Sequence, residues 1–264
     1  MSEEPVKAPI QPPTPPKRPS LMIATPMYGG MCTGAYVQGL MFTIRKMQEL
    51  GVEVFWCQIT NESLITRARN ELVRVFLEQG KDYLMFIDAD IAFDGEAVAQ
   101  LLAGNKDIAC GIYPKKEVNW DSVRRAAAAG KSNLEEHAGS FVFNMIGSAD
   151  AHTDERGFIE VRHGGTGFML IKRQVFEDLK PHVPTYRVSS FKDPETGEYL
   201  RPLTYEFFAT SIDASGALLS EDFHFCELWR HHGGHIHAHP FIQLAHVGTY
   251  VYSGNILQSG GNLK

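Results

Sequence analysis

Two carboxylates one residue apart close an apolar run: Tyr83-Leu84-Met85-Phe86-Ile87-Asp88-Ala89-Asp90. A strand apolar on both faces reads as the centre of a parallel sheet covered by helices. Unpaired charge is costly inside such a sheet. It belongs at the carboxyl edge, where open α/β sheets bind ligands. Asp88 and Asp90 can bracket one ion at that strand exit. Carboxylate oxygens suit hard cations such as Mg2+ and Mn2+, which also bridge phosphates. The step therefore predicts a divalent cation gripping a diphosphate. The competing reading is a pair of acids capping a helix before Phe93.

Other segments offer partners for such a site. Ala24-Thr25-Pro26-Met27-Tyr28-Gly29-Gly30 follows an apolar strand, and its backbone and Tyr28 can cradle a base. It lacks the dinucleotide-binding glycine fingerprint, so hydride chemistry loses support. In Asn61 to Asn70, Leu64 and Ala68 face inward and put Arg67 on an adjoining face. There it can pair with phosphate or with the Asp88 region; Arg69 and Arg74 are weaker candidates. Lys115, after the strand ending at Gly111, can meet a phosphate or a sugar hydroxyl. Gly164-Gly165-Thr166-Gly167 lets a sugar or acceptor approach the backbone at Gly165 and Thr166, or simply makes a tight bend. Glu221 and Asp222 follow Ser220 at a helix start. The helix dipole and caps explain acids there, yet a carboxylate so placed can also serve as general base for an acceptor hydroxyl.

The histidines crowd into one region, with seven of the 11 between His224 and His246. His235, His237 and His239 alternate as on one strand face, which invites zinc. No cysteine or acid stands at structural-zinc spacing, so zinc is disfavoured. His246, in His246-Val247-Gly248, can return to the sheet edge as a third ligand for the Asp88/Asp90 cation.

Strands are expected at Leu21–Thr25, stopped by Pro26, and at Val52–Trp56, Tyr83–Ile87 and Asp107–Gly111. Helices are expected at Ala35–Leu50, from a cap at Asn61 or Ser63 to Glu78, and over Gly95–Ala103. This alternation argues βαβ units and a parallel sheet. Farther on, a strand at Phe158–Val161 leads into the glycine run, and Phe168–Ile171 continues it. Short helices follow at Arg173–Leu179 and Glu221–His231. Pro181 to Arg201 reads as a loop, and His235 to Ala245 as strand or loop.

The chain has 264 residues, 44% of them hydrophobic and 21% charged, which permits a large α/β core. Its net charge of −6 argues against a sequence-independent nucleic-acid binder. Cys32, Cys57, Cys110 and Cys226 have no paired spacing and read as reduced, buried thiols in a cytosolic setting. No apolar stretch approaches a membrane span, and the N-terminus lacks a secretory h-region. Seven of the 14 prolines fall in Met1 to Ser20, an arm expected to be disordered.

In this order, Ala24-Thr25-Pro26, Asp88-Ala89-Asp90, Gly164-Gly165-Thr166-Gly167-Phe168, Glu221-Asp222-Phe223 and His246-Val247-Gly248 resemble a GT-A fold glycosyltransferase of the Asp-x-Asp type. The likeness spans Leu21 to Tyr252. Thr25 to Trp120 is also similar to glycosyltransferase-like proteins of bacteriophages and large viruses. The resemblance implies an α/β, Rossmann-like single domain with a mostly parallel central sheet flanked by helices. It further implies a nucleotide-binding half over 21–120 and an acceptor-binding half over 121–264. By that likeness Thr25, Pro26, Tyr28, Arg67, Asp88, Ala89 and Lys115 bind the nucleotide sugar, with Asp88 at the ribose. Asp88, Asp90 and His246 hold Mn2+ or Mg2+. Gly165 and Thr166 meet the sugar or acceptor, and Asp222 is the base, with Glu221 its substitute. The donor would be UDP- or GDP-linked. Glycan, lipid, protein and a modified DNA base remain open as acceptors. A nucleotidyltransferase that makes sugar nucleotides, and a non-catalytic nucleotide or carbohydrate-binding module, are the competing functions.

Overall fold

The computed structural model describes residues 18–147, 152–188, 193–199 and 203–258. The proline-rich arm expected over 1–20 lies outside these up to residue 17, as do parts of the expected Pro181 to Arg201 loop.

In chain order the strands are β1 (Ser20–Met27), β2 (Glu53–Thr60), β3 (Tyr83–Ile87), β4 (Ile91–Ala92), β5 (Ile108–Gly111), β6 (Phe143–Met145), β7 (Ile159–Gly164) and β8 (Phe168–Lys172). They continue as β9 (Thr185–Tyr186), β10 (Thr204–Tyr205), β11 (Ser211–Ile212), β12 (Leu218–Leu219), β13 (Ile236–His239), β14 (Ala245–Val247) and β15 (Val251–Tyr252). The helices are α1 (Gly34–Glu49), α2 (Ile65–Glu78), α3 (Gly95–Gly104), α4 (Trp120–Ala128), α5 (Arg173–Leu179) and α6 (Glu221–His231).

Eight strands form the central sheet in the order β2-β1-β3-β8-β5-β13-β7-β6. Six of them share one direction, while β7 and β8 run against it. The sheet is therefore mostly parallel, as expected, but β8 sits inverted between β3 and β5. Residues Phe168–Ile171 do not continue the preceding strand. The glycine run turns the chain out of β7, and β8 enters the sheet three places along, beyond β13 and β5.

Strand alternation explains the two cores. Leu21, Ile23, Met85 and Ile87 face one side, where Tyr36, Leu40 and Met47 of α1 and Val98 and Leu101 of α3 pack. Met22, Ala24, Leu84 and Phe86 face the other, against Leu72, Val73 and Phe76 of α2, Val175 and Phe176 of α5, and Phe225 and Trp229 of α6. With both faces covered, the central strands are apolar throughout. Each large side chain so buried contributes roughly 1.5–3 kcal/mol relative to exposure.

Pro26 does not stop β1, which reaches Met27. Past Ala24 the strand pairs with β2 alone, so the missing N–H of Pro26 falls where a ladder has ended. Helix α2 starts at Ile65 after Leu64, not from an Asn61 or Ser63 side-chain cap. The Leu64 N–H instead donates to the Glu62 carboxylate at 3.0 Å. All four cysteines are free, but burial holds only for Cys110 and Cys226; Cys57 is half-buried and Cys32 is exposed just ahead of α1. No helix among the described residues is long and apolar enough to cross a membrane.

Candidate nucleotide and metal site

The strand exits converge on one edge. Strands β1 and β3 end there at Met27 and Ile87, and β8, being inverted, begins there at Phe168. A cleft of about 440 Å³ opens at this edge, walled by Pro26, Tyr28, Cys32, Glu62, Ser63, Asp88, Ala89 and Asp90 among others. Tyr28 stands 72% exposed over it, on a tight turn in which Gly29 and Gly30 both take φ of 69°. The Ala89 carbonyl accepts the Thr33 N–H at 2.9 Å, tying the start of α1 to the Asp-x-Asp turn. Thr25 does not line the cleft. It is fully buried and its hydroxyl meets that of Tyr36, which also accepts the Trp56 indole N–H at 3.1 Å.

Asp90 and His246 are brought together by a second, small sheet of order β15-β14-β4. Its ladder sets His246 opposite Ile91, and the Val247 N–H donates to the Asp90 carbonyl at 2.8 Å. The His246 Nε2 lies 3.3 Å from one Asp90 carboxylate oxygen, and Lys116 Nζ lies 2.5 Å from the other. Burial alone would raise the Asp90 pKa, but His246 and Lys116 outweigh it and hold the carboxyl down at about 2. The His246 Nδ1 is 3.1 Å from the Pro114 carbonyl. A carbonyl only accepts, so Nδ1 carries a proton. Nε2 then faces Asp90 either as the second N–H of an imidazolium or as a lone pair with a cation between them.

Asp88 turns the other way. Arg69 donates from Nη2 to both of its carboxylate oxygens, at 3.1 and 3.3 Å, and from Nε to Glu221 at 3.1 Å. The expected three-ligand set of Asp88, Asp90 and His246 is thus not assembled, and no group of three His, Cys, Asp or Glu residues placed to hold a metal occurs among the described residues. Arg69 is 3% exposed and its guanidinium lies 5.2 Å over the Phe86 ring. Burial would drive off its proton, but Asp88 and Glu221 reverse this and raise its pKa above the ordinary arginine value. One arginine therefore joins the Asp-x-Asp turn to the Glu-Asp helix start.

Asp222 is 9% exposed, and burial pushes its pKa above the usual carboxylate range. The Ser220 hydroxyl and, at 2.8 Å, the Phe223 N–H donate to it. Its charge also adds to the burial that pushes the Cys110 thiol up to about 12, and burial, with Asp88 and then Asp222 adding to it, raises the Tyr113 phenol. Tyr113 thus lies within reach of both motifs. Its hydroxyl oxygen accepts the Gly167 N–H at 3.0 Å. A Cβ on Gly165 would fall 2.2 Å from that hydroxyl oxygen, and one on Gly167 3.0 Å from an Asp88 oxygen. The close approach expected at the glycine run is therefore to Tyr113. Thr166 is buried and its hydroxyl has no hydrogen-bond partner among the described residues.

Arg67 forms a two-pronged ion pair with Glu62 of the cleft wall, at 2.5 and 2.6 Å. Lys115 is exposed, and its neighbour Lys116 reaches Asp90. Of the crowded histidines, His235 pairs with Glu160 at 2.9 Å and His239 packs edge-on against Phe158. His163 bonds Glu227 at 2.7 Å and stacks on Phe223. Sequence reading placed Arg69 below Arg67 and missed Lys116. An arginine beside the buried Ala68 stripe, and the second lysine of a pair after a strand, are the signals that point to them.

No protein-family model matches the sequence, and no curated protein matches it. Solved structures similar to the chain include A197 from STIV, at 16% identity over 89% of this chain and 94% of that one, with a TM-score of 0.47. A glycosyltransferase involved in the glycosylation of the major capsid of PBCV-1 aligns at 10% identity over 62% of this chain and 65% of that one, TM-score 0.29. GalNAc-T7 with UDP, GalNAc and Mn2+ aligns at 11% identity, TM-score 0.39, over 89% of this chain but only 45% of its own length. At TM-scores under 0.5 the functional reading rests on this chain's own residues.

Proposed function

We propose that this chain transfers a sugar from a nucleotide-diphosphate donor to an acceptor hydroxyl. One observation carries the reading. The cleft at the carboxyl edge of β1 and β3 is lined by Asp90, whose carboxylate meets His246 and Lys116, and Arg69 links its Asp88 wall to the helix that Glu221 and Asp222 begin.

The donor set fits a divalent cation. Asp90 stays ionised at all but the lowest pH, and His246 turns Nε2 to it with Nδ1 already engaged. Asp90 and His246 would hold Mn2+ or Mg2+, with water and donor oxygens filling the other positions. When bound, the ion offsets negative charge on the departing diphosphate. Lys116 adds a positive charge beside it, and Arg69 keeps the Asp88 carboxylate fixed toward the ribose side. Tyr28 offers its ring to the base. Asp222 accepts the proton of the acceptor hydroxyl as that oxygen attacks the anomeric carbon. Its raised pKa makes it a stronger base than an exposed carboxylate.

Thermal shift with UDP and GDP, each with and without Mn2+, tests this directly, because a ligand bound by the native state raises its melting temperature. UDP or GDP is expected to stabilise the protein only when Mn2+ is present. Asp90→Ala is expected to remove that stabilisation and to weaken nucleotide affinity at least tenfold, while the melting temperature of the free protein changes little. Unchanged Mn2+-dependent affinity in Asp90→Ala would refute the assignment. Pyrophosphate release from a sugar 1-phosphate and a nucleoside triphosphate would instead favour a nucleotidyltransferase.

A further inference from the structure

A second groove, also of about 440 Å³, opens beside the candidate metal site. Its lining includes Trp120, Tyr250 and Tyr252 together with Leu134, Glu117 and Glu135. Two of its lining residues neighbour the partners of Asp90. Glu117 follows Lys116 in sequence, and Tyr252 stands opposite His246 in the β14–β15 ladder.

The aromatic rings are presented outward rather than packed away. Trp120 is 68% exposed and Tyr250 56%. Tyr250 and Tyr252 meet edge to face at 5.3 Å. Such rings do not reach this exposure to stabilise the fold, since the hydrophobic gain comes from burial. Flat rings with polar tips give large, rigid contact area at low entropic cost, and they suit the C–H faces of a pyranose. Neither Glu117 nor Glu135 has an ion-pair partner among the described residues. Ionised carboxylates only accept hydrogen bonds, so they match hydroxyl donors and repel phosphate, sulfate or carboxylate groups.

Resting on the glycosyl-transfer reading, we propose that this groove is the acceptor subsite and that the acceptor is a neutral saccharide, lodged on Trp120 and Tyr250 with hydroxyls toward Glu117 and Glu135. A nucleic acid, an anionic lipid headgroup and an acidic glycan are disfavoured by the two carboxylates. The position beside Lys116 and His246 brings the end of a saccharide in the groove toward the diphosphate end of the cleft.

Saturation-transfer NMR titrations of the full chain, without donor or metal, test this with maltotetraose, cellotetraose, chitotetraose, hyaluronan tetrasaccharide and choline as probes. At least one neutral tetrasaccharide is expected to bind, and Trp120→Ala and Tyr250→Ala each to weaken it at least tenfold. Both side chains are more than half exposed, so the variants are expected to fold and to keep Mn2+-dependent UDP affinity within twofold. The inference falls if none of the neutral tetrasaccharides binds, if binding survives both substitutions, or if only hyaluronan tetrasaccharide or choline binds. The two readings fail separately. Nucleotide binding without saccharide binding sinks the groove assignment alone. Saccharide binding that depends on Trp120, with no nucleotide binding, rejects the transferase and leaves a carbohydrate site.

Discussion

Asp222→Asn is expected to lower the rate of sugar transfer by about 10²- to 10⁴-fold, the range in which a positioned general base contributes. Donor affinity is expected to stay within twofold, because Asp222 is hydrogen-bonded within its own helix start and not to the cleft wall. Asparagine keeps a side-chain oxygen for the Ser220 hydroxyl and the Phe223 N–H, so the local geometry survives. The pH dependence follows from burial. The Asp222 pKa is raised above its ordinary 3.8, so the ionised form needed as a base fills only as pH climbs past that raised value. The acid limb of the wild-type rate should therefore lie above 3.8. Stability moves with the opposite sign. A carboxyl whose folded pKa is raised favours the native state most when neutral, below its unfolded pKa, and loses that contribution as pH rises through the folded value. At neutral pH the asparagine variant should melt at the wild-type temperature or above it. Steady-state transfer assays with a thermal melt check both halves; near-normal turnover would remove Asp222 as the base.

Arg69→Met should produce the largest loss of stability. The guanidinium is 3% exposed and is the shared counterion of Asp88 and Glu221, whose side chains are 28% and 15% exposed. Deleting one member of such a buried network leaves carboxylates without compensation, at a cost of about 3–5 kcal/mol. For a domain of this size that corresponds to a fall in melting temperature of roughly 10 °C. Arg69→Lys keeps the charge but not the planar fork, so it should recover only part of the loss. A second substitution, Glu221→Gln in the Arg69→Met background, should restore part of the stability by removing one unpaired charge, and the double-mutant cycle measures that coupling. Thermal denaturation reads all three. A drop of less than about 2 °C in Arg69→Met would show that the arginine does not hold the two motifs together.

Much of this arrangement is legible in the sequence because it is local. The run from Tyr83 to Ile87 is β3 with the bounds its apolar pattern sets, and burial cost alone puts Asp88 and Asp90 at its exit. Helices α5 and α6 also occupy the residues expected of them. What the sequence hides is long-range. Nothing in Phe168–Lys172 tells that it pairs with β3 and β5 in inverted sense, since a strand buried on both faces looks alike in either direction. Arg67 and Arg69 both flank the Ala68 stripe of α2, and only the sheet beneath decides which flank is buried. Lys115 and Lys116 differ by one residue. In extended chain that step moves a side chain to the opposite face, and the Pro114–Phe141 bridge sets the parity that sends Lys116 to Asp90. Helix α4 and strand β6, both short and set between loops, enter only with the structure.

Glycosyl transfer at this cleft requires a cation held by Asp90 and His246 against a nucleotide's diphosphate. Crystals grown with Mn2+ and UDP test it most directly, through the anomalous signal of manganese. A manganese peak is expected within bonding distance of an Asp90 carboxylate oxygen and His246 Nε2, beside the diphosphate, with uracil in the cleft next to Tyr28. Manganese or UDP bound elsewhere, or a cleft left empty at saturating concentrations of both, would contradict it.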